Sequence, residues 1–154
     1  MIYLFILRDN NLPVLIQILL FYKHTFIMWS CYVLRNDNEI YKKFTYVGAS
    51  NNPIKRMRAH NGEITGGAKY TKSKGIWSIY MLIEGFDNAS EAMSCEWRLK
   101  HPTGKKQKPI KFCGIVGRVL SLNHILLLDK WGNKENLLKK NDINIYIASD
   151  VISL

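Results

Sequence analysis

Two β-forming stretches joined by a short polar turn constrain this chain more than any other feature. Trp29–Leu34 is rich in β-formers, Arg35–Glu39 is polar, and Lys43–Val47 resumes the β pattern before Gly48. Such a pair reads as a hairpin. The segment after Gly48 is equally directive. Asn52 is a natural N-cap, and Pro53 suits the first helical position because its missing N–H would have no partner there. A helix is expected from Pro53 to His60, ending before Asn61-Gly62. Trp77–Glu84 reads as a third strand, and Gly85–Asn88 turns the chain. Asn88 caps a helix with Glu91 three residues on, the capping-box spacing. That helix runs from Ala89 to about His101, where Pro102 ends it. Val116–Trp131 is apolar at near-helical spacing, and Ile143–Ile147 alternates like a strand. The expected fold class is α/β: one domain with a small, mainly antiparallel three-stranded sheet flanked by helices.

The charge is concentrated where these elements are. The 154 residues carry a formal charge of +10, and all of the excess lies in residues 41–118, with 15 basic and 5 acidic side chains. An excess localised in this way points to a polyanionic partner, nucleic acid before membrane. The three cysteines, Cys31, Cys95 and Cys113, are far apart and form no Cys-x-x-Cys pair. A zinc finger and a disulfide framework are both poor readings, and a reducing, intracellular compartment is expected.

Residues 1–27 stand apart. Leu12–Tyr22 is apolar but broken by Pro13 and Gln17. It is too short for a membrane span, which takes ~20 apolar residues. It lacks a basic start and a small-residue cleavage site, so it is a poor signal peptide. Two readings remain: a peripheral helix or strand packed on the domain, or an extension upstream of a native start at Met28. The abrupt onset of patterned sequence at Trp29 favours the second. No membrane association is expected.

Several side chains carry chemistry. Arg56 and His60, four apart, share a helix face, and both can donate to phosphate oxygens if His60 is protonated. Lys55 and Arg58 lie on other sides of that helix. Gly66–Gly75 is a basic glycine loop in which Lys69, Lys72 and Lys74 supply charge and Tyr70 can stack on a base. Its alternative is a flexible solvated loop. On the later helix Ala92, Met93 and Leu99 form an apolar face that also bears Glu96. A carboxylate there needs a basic partner or a metal ion, and both readings stand. Residues 103–113 are a basic stretch, either a linker or a phosphate contact.

Taken in order, these residues resemble the GIY-YIG nuclease superfamily. Its first element stands here as Ser30-Cys31-Tyr32, which keeps only the tyrosine, and its second as Tyr46-Val47-Gly48. Arg56 follows ten residues after the second tyrosine, and Glu96 falls on the later helix. Within the superfamily the chain is similar to the Slx-type catalytic subunits of structure-specific endonucleases. The shared elements run through Asn52-Pro53, Arg56, His60-Asn61-Gly62, Gly66-Gly67-Ala68-Lys69, Trp77, Gly85-Phe86, Glu96-Trp97 and His101-Pro102. On this resemblance residues 28–102 are the nuclease domain, and 103–154 are a basic linker with a helix and strand extension. Family members carry a C-terminal zinc-binding RING-like module that docks on a scaffold subunit. The cysteines for that module are absent from these 154 residues, so a scaffold contact lacks its usual basis.

The resemblance implies hydrolysis of DNA phosphodiesters in branched substrates such as flaps and junctions, in repair or recombination. It implies one divalent ion, Mg²⁺ or Mn²⁺, with Glu96 as its protein ligand. Arg56 would clamp a phosphate oxygen. His60 and Tyr46 would complete the phosphate pocket or orient the water. Tyr32 or Tyr46 would be the general base, its pKa lowered from ~10 by a nearby positive charge. Lys55, Arg58, Lys69, Tyr70, Lys72 and Lys74 would touch DNA. The competing readings are a basic DNA-binding module without catalysis and a nuclease of the same chemistry on other DNA.

Overall fold

The computed structural model describes residues 2–7, 28–107 and 109–148. Strand β1 is Ile2–Leu7, β2 Trp29–Asn36, β3 Thr45–Ser50 and β4 Trp77–Phe86. Helix α1 spans Pro53–His60, α2 Lys69–Lys72, α3 Ala89–Lys100 and α4 Gly114–Leu126. A small hairpin, β5 (Lys130–Trp131) and β6 (Lys134–Glu135), then helix α5 (Leu137–Lys140) and strand β7 (Ile143–Ala148) follow among the described residues.

The main sheet has the order β1-β7-β4-β2-β3. The expected three strands are its β2, β3 and β4, paired antiparallel. The sheet is larger because β4 is buried along nearly its whole length and accepts a second neighbour. Met81–Glu84 pairs antiparallel with Asn144–Ile147 of β7, and β1 adds to β7 in parallel. A strand that fills the core on both faces belongs at the sheet's centre. The expectation for Leu12–Tyr22 falls outside the described residues.

Both expected N-caps are present. The Asn52 side chain accepts from the Lys55 N–H, and that of Asn88 accepts from the Glu91 N–H. The segment expected as a helix over 116–131 ends earlier, at Leu126, and its last residues enter the β5–β6 hairpin. No described helix is long and apolar enough to cross a membrane.

Side chains alternate across β2, and this alternation distributes the helices. The Cys31 thiol meets Cys95 of α3, whereas the next residue, Tyr32, meets His60 of α1. β3 is the edge strand beyond β2. At that edge both α1 and α3 pack on β3, from opposite faces of the sheet.

Candidate active site

The geometry starts at Tyr32, a fully buried side chain on β2. Its hydroxyl lies 3.1 Å from Nε2 of His60, the last residue of α1. On the other side of the imidazole, Nδ1 lies 2.9 Å from Thr71 Oγ1. The Thr71 hydroxyl donates its own proton to the Ala68 carbonyl at 2.8 Å. Its oxygen must therefore accept from His60 Nδ1–H, which leaves Nε2 as the acceptor for the Tyr32 hydroxyl. The Ala68 N–H also points at Nδ1, but at 3.5 Å it is much the weaker contact, and the 2.9 Å bond to Thr71 decides the tautomer. The hydrogen bonds run in one direction: Tyr32 to His60 to Thr71 to the α2 N-terminus.

His60 is 1% exposed. Burial, and then the positive charge of Arg56, lower its pKa to about 4, so it is a neutral imidazole at pH 7. The cationic donor considered from sequence is not populated there. Tyr32 departs from expectation in a related way. Burial raises its pKa, and this outweighs the lowering by Arg56; the charges of Tyr46 and Glu96 raise it further. The nearby positive charge is present but does not win.

Tyr46 on β3 lies over the same histidine, with ring centroids 4.4 Å apart and Tyr32 at 6.4 Å. The registry Tyr32↔Gly48 explains the glycine. A Cβ on Gly48 would sit 2.4 Å from the Tyr32 hydroxyl oxygen and 3.0 Å from the Tyr46 ring. Gly67 is needed for a similar reason, since a Cβ there would lie 2.0 Å from the Ala59 carbonyl oxygen of α1. This close approach lets the Gly66–Gly75 segment fold against α1. The segment is not simply an open loop: α2 forms within it, and Thr71 is fully buried. Arg56 Nη1 donates to the Gly66 carbonyl at 2.8 Å. Asn61 and Trp77 exchange hydrogen bonds of 3.1 and 2.8 Å, joining the end of α1 to the start of β4.

Glu96 approaches from α3. The buried face of that helix is Ala92, Cys95, Arg98 and Leu99, whereas Met93 is 55% exposed. The apolar face drawn from sequence is thus rotated, and Glu96 stands at its margin rather than within it. Its side chain is 23% exposed and pairs with Lys100 at 2.5 Å. Lys100 Nζ is also 5.9 Å from the Tyr46 ring centroid, which ties this carboxylate to the edge of β3. The basic partner expected as one alternative is therefore present, and it leaves one flank of the carboxylate open to solvent. Among the described residues no three His, Cys, Asp or Glu side chains cluster around a metal position. The fit is to a site with a single carboxylate.

The expected DNA contacts are dispersed. Lys55, Lys69 and Lys72 are exposed. Arg58 is engaged with Glu63 at 2.8 Å. Lys74 Nζ donates to the Tyr70 carbonyl at 2.7 Å and lies 4.0 Å from the Tyr70 ring centroid. Sequence reasoning missed Thr71 and Lys100. Lys100 stands four residues after Glu96, a spacing that signals an ion pair. Thr71 had no signal, lying among three lysines.

Comparison with known proteins identifies the family. Residues 28–109 match the family model of the GIY-YIG catalytic domain. Over 114 residues the chain is 33% identical to the structure-specific endonuclease subunit slx1 of Schizosaccharomyces pombe, covering 67% of this chain and 40% of the relative. It is 44% identical over 72 residues to the SLX1 homolog of Cryptosporidium parvum, covering 47% and 17%. For the Caenorhabditis elegans homolog the figures are 36% over 77 residues, covering 49% and 17%. The chain thus spans well under half the length of these curated relatives. Since the matched span contains every site residue from Tyr32 to Glu96 and makes up more than half of the chain, this protein belongs to the GIY-YIG family.

Proposed function

We propose that this protein is a metal-dependent DNA endonuclease that hydrolyses phosphodiester bonds in branched DNA such as flaps and junctions. The observation that carries the reading is the convergence of Tyr32, Tyr46, Arg56 and His60 beside a carboxylate, Glu96, whose partner Lys100 reaches the Tyr46 ring. The charge excess of residues 41–118 suits a polyanionic substrate. The branched-DNA preference rests on the relatives' names, which describe subunits of structure-specific endonucleases.

Glu96 would hold a divalent ion in place of its pairing with Lys100. Its hard oxygen donors suit Mg²⁺ or Mn²⁺. When bound, the ion would supply polarisation of the phosphate and charge neutralisation at the leaving oxygen. The remaining steps belong to the chain. Arg56, anchored through one nitrogen to Gly66, holds a phosphate oxygen with its remaining donors. Tyr32 accepts a proton from the attacking water as it passes its own to His60 Nε2. Burial resists a free phenolate at Tyr32 and a free imidazolium at His60 alike, so the transfer is concerted with charge building on the phosphate. Thr71 then holds the imidazolium through Nδ1–H. Tyr46 orients the water or the phosphate.

The test uses labelled linear duplex, 5′-flap and four-way-junction DNA with Mg²⁺ or EDTA, for wild type and Glu96→Gln. Metal-dependent cleavage of the branched substrates, lost in the variant while binding survives, is the expected result. Undiminished cleavage by Glu96→Gln refutes the ligand assignment. Tight binding without cleavage, with and without a candidate partner subunit, favours a DNA-binding module instead.

A further inference from the structure

Beside the candidate active site lies a second recess that the hydrolytic reading does not use. It has a volume of about 450 Å³ and is bordered by Lys43, Phe44, Tyr70, Cys113, Gly114 and Arg118. That volume is within the range of small-ligand pockets, about 300–1,000 Å³. Tyr70 links the two sites, with its ring centroid 6.4 Å from Tyr46 and 6.5 Å from Phe44.

Arg118 is the anomaly. It is 7% exposed, yet it forms no ion pair with any described carboxylate. Its Nε donates to Thr45 Oγ1 at 3.1 Å and its Nη1 to the Leu99 carbonyl at 3.0 Å. Those bonds use two of five guanidinium N–H groups, and the residue faces the recess. A buried cation without a counter-charge is costly, and a bound anion would remove that cost. The second observation concerns α4, a helix of 13 residues whose N-terminus opens at Cys113 and Gly114. Its N-cap provides no side-chain acceptor, and its first turn has no acidic residue. The first N–H groups and the positive end of the helix dipole therefore remain available to an anion. Lys43 adds a third positive charge at the mouth, and no acidic residue lines the recess. Phe44 and Tyr70 provide aromatic surface next to these charges.

We infer that this recess is a second phosphate subsite, holding a nucleotide phosphate of the DNA other than the one being cut, with the attached nucleoside against Phe44 and Tyr70. This rests on the DNA-endonuclease reading for its ligand class. Through Tyr70 it would fix the direction in which a strand leaves the catalytic site.

Cys113 supplies the reporter. It is the exposed cysteine of the three, Cys31 and Cys95 being buried. Its alkylation by iodoacetamide, a neutral reagent, is followed by mass spectrometry in EDTA, where no cleavage interferes. The probes are inorganic phosphate, thymidine 5′-monophosphate and thymidine, each at about 10 mM and constant ionic strength. Phosphate and the monophosphate are expected to slow alkylation saturably, the monophosphate more, and thymidine to leave the rate unchanged. Lys43→Ala, at an exposed position, is expected to raise the half-protecting concentration about fivefold, the upper size of an exposed charge contact. Arg118→Lys, with folding checked by circular dichroism, is expected to abolish protection. No protection by either phosphate probe overturns the proposal, as does equal protection by thymidine. Duplexes with a 5′-phosphate or a 5′-hydroxyl separate the sources: protection by both assigns an internal phosphodiester, and protection by the first alone assigns a terminal phosphate. Nucleotide protection without DNA cleavage would sustain the subsite and sink the endonuclease reading; cleavage without protection would do the reverse.

Discussion

Acidification tests the hydrogen-bond chain through its central residue. In the folded protein His60 has a pKa of about 4, and in the unfolded chain about 6.5. Below pH 6.5 the unfolded state binds a proton that the folded state refuses. Stability therefore falls as pH drops from 6.5 toward 4, and is unaffected by this group above 6.5. A difference of about 2.5 pKa units corresponds to about 3 kcal/mol at 1.36 kcal/mol per unit. For a small domain whose whole stability is about 5–15 kcal/mol, that is a large fraction. Urea unfolding, followed through tryptophan fluorescence, to which the buried Trp77 contributes, measures it at intervals between pH 7.5 and 4. Carboxylates titrate in part of the same window, so the informative quantity is the difference from His60→Gln, which lacks the titrating group. That variant is less stable at pH 7 because Tyr32 and Thr71 lose a partner, but its profile is flatter. Parallel profiles for wild type and His60→Gln would refute the assignment of His60 as a buried neutral imidazole.

Other perturbations probe separate parts of the site. In Gly48→Ala the new Cβ displaces the Tyr32 hydroxyl; DNA cleavage is expected to fall about 100-fold, the scale seen for misplacement of about 1 Å, with a native circular dichroism spectrum. Gly67→Ala pushes on backbone at Ala59, so urea denaturation is expected to show a loss of about 1–3 kcal/mol. Thr71→Val leaves Nδ1–H without an acceptor; ¹⁵N spectra of His60 are expected to show the opposite tautomer, with the nearby Ala68 N–H as its new partner, and Thr71→Ser to restore the original. Lys100→Met frees Glu96 from a competing cation, and the Mg²⁺ concentration for half-maximal cleavage is expected to drop by no more than about fivefold, the limit for a partly exposed ion pair.

Local rules made much of this molecule legible. The hairpin, both N-caps and the placement of Arg56 and His60 on one helix came from turn residues and helical spacing, because these depend on neighbours within a few positions. Spacing also brought Glu96 near a buried face, but the face was assigned from Met93, a flexible apolar residue that points to solvent. Cys95, fully buried against Cys31, is what orients α3, and a cysteine gives no periodicity signal of its own. The alternation of Ile143–Ile147 marks β7 as a strand, but its place in the sheet, and β1 altogether, escape for a different reason. β7 pairs with β4 from some sixty residues away in sequence, and a short alternating segment does not reveal its partner. The protonation of Tyr32 and His60 was equally out of reach. Whether Arg56 or burial dominates depends on a pocket assembled from β2, α1 and α2, and the balance changes sign with depth.

The position of the site on the sheet explains why it needs so few residues. A central strand keeps its two faces apart, so side chains from α1 and α3 could not meet across β2 or β4. At β3 the sheet ends. Tyr46 is half-buried there, packed on His60 from one face and 5.9 Å from Lys100 of the other. The buried partner, Tyr32, sits one strand inward and is protonated, whereas Glu96 stands outward and partly solvated. In the proposed mechanism proton transfer belongs in the dry half, where hydrogen bonds fix direction and stray ionisation is suppressed. The same proposal puts the hydrated cation and the polyanion in the wet half, where they can arrive without desolvating the whole site. Moving the carboxylate inward would break this division. In a Tyr32→Glu variant the acid would be buried beside a neutral imidazole, and its pKa should rise toward neutrality. Cleavage should then be lost even with Glu96 intact. Retained cleavage in that variant would show that the dry half of the site is dispensable.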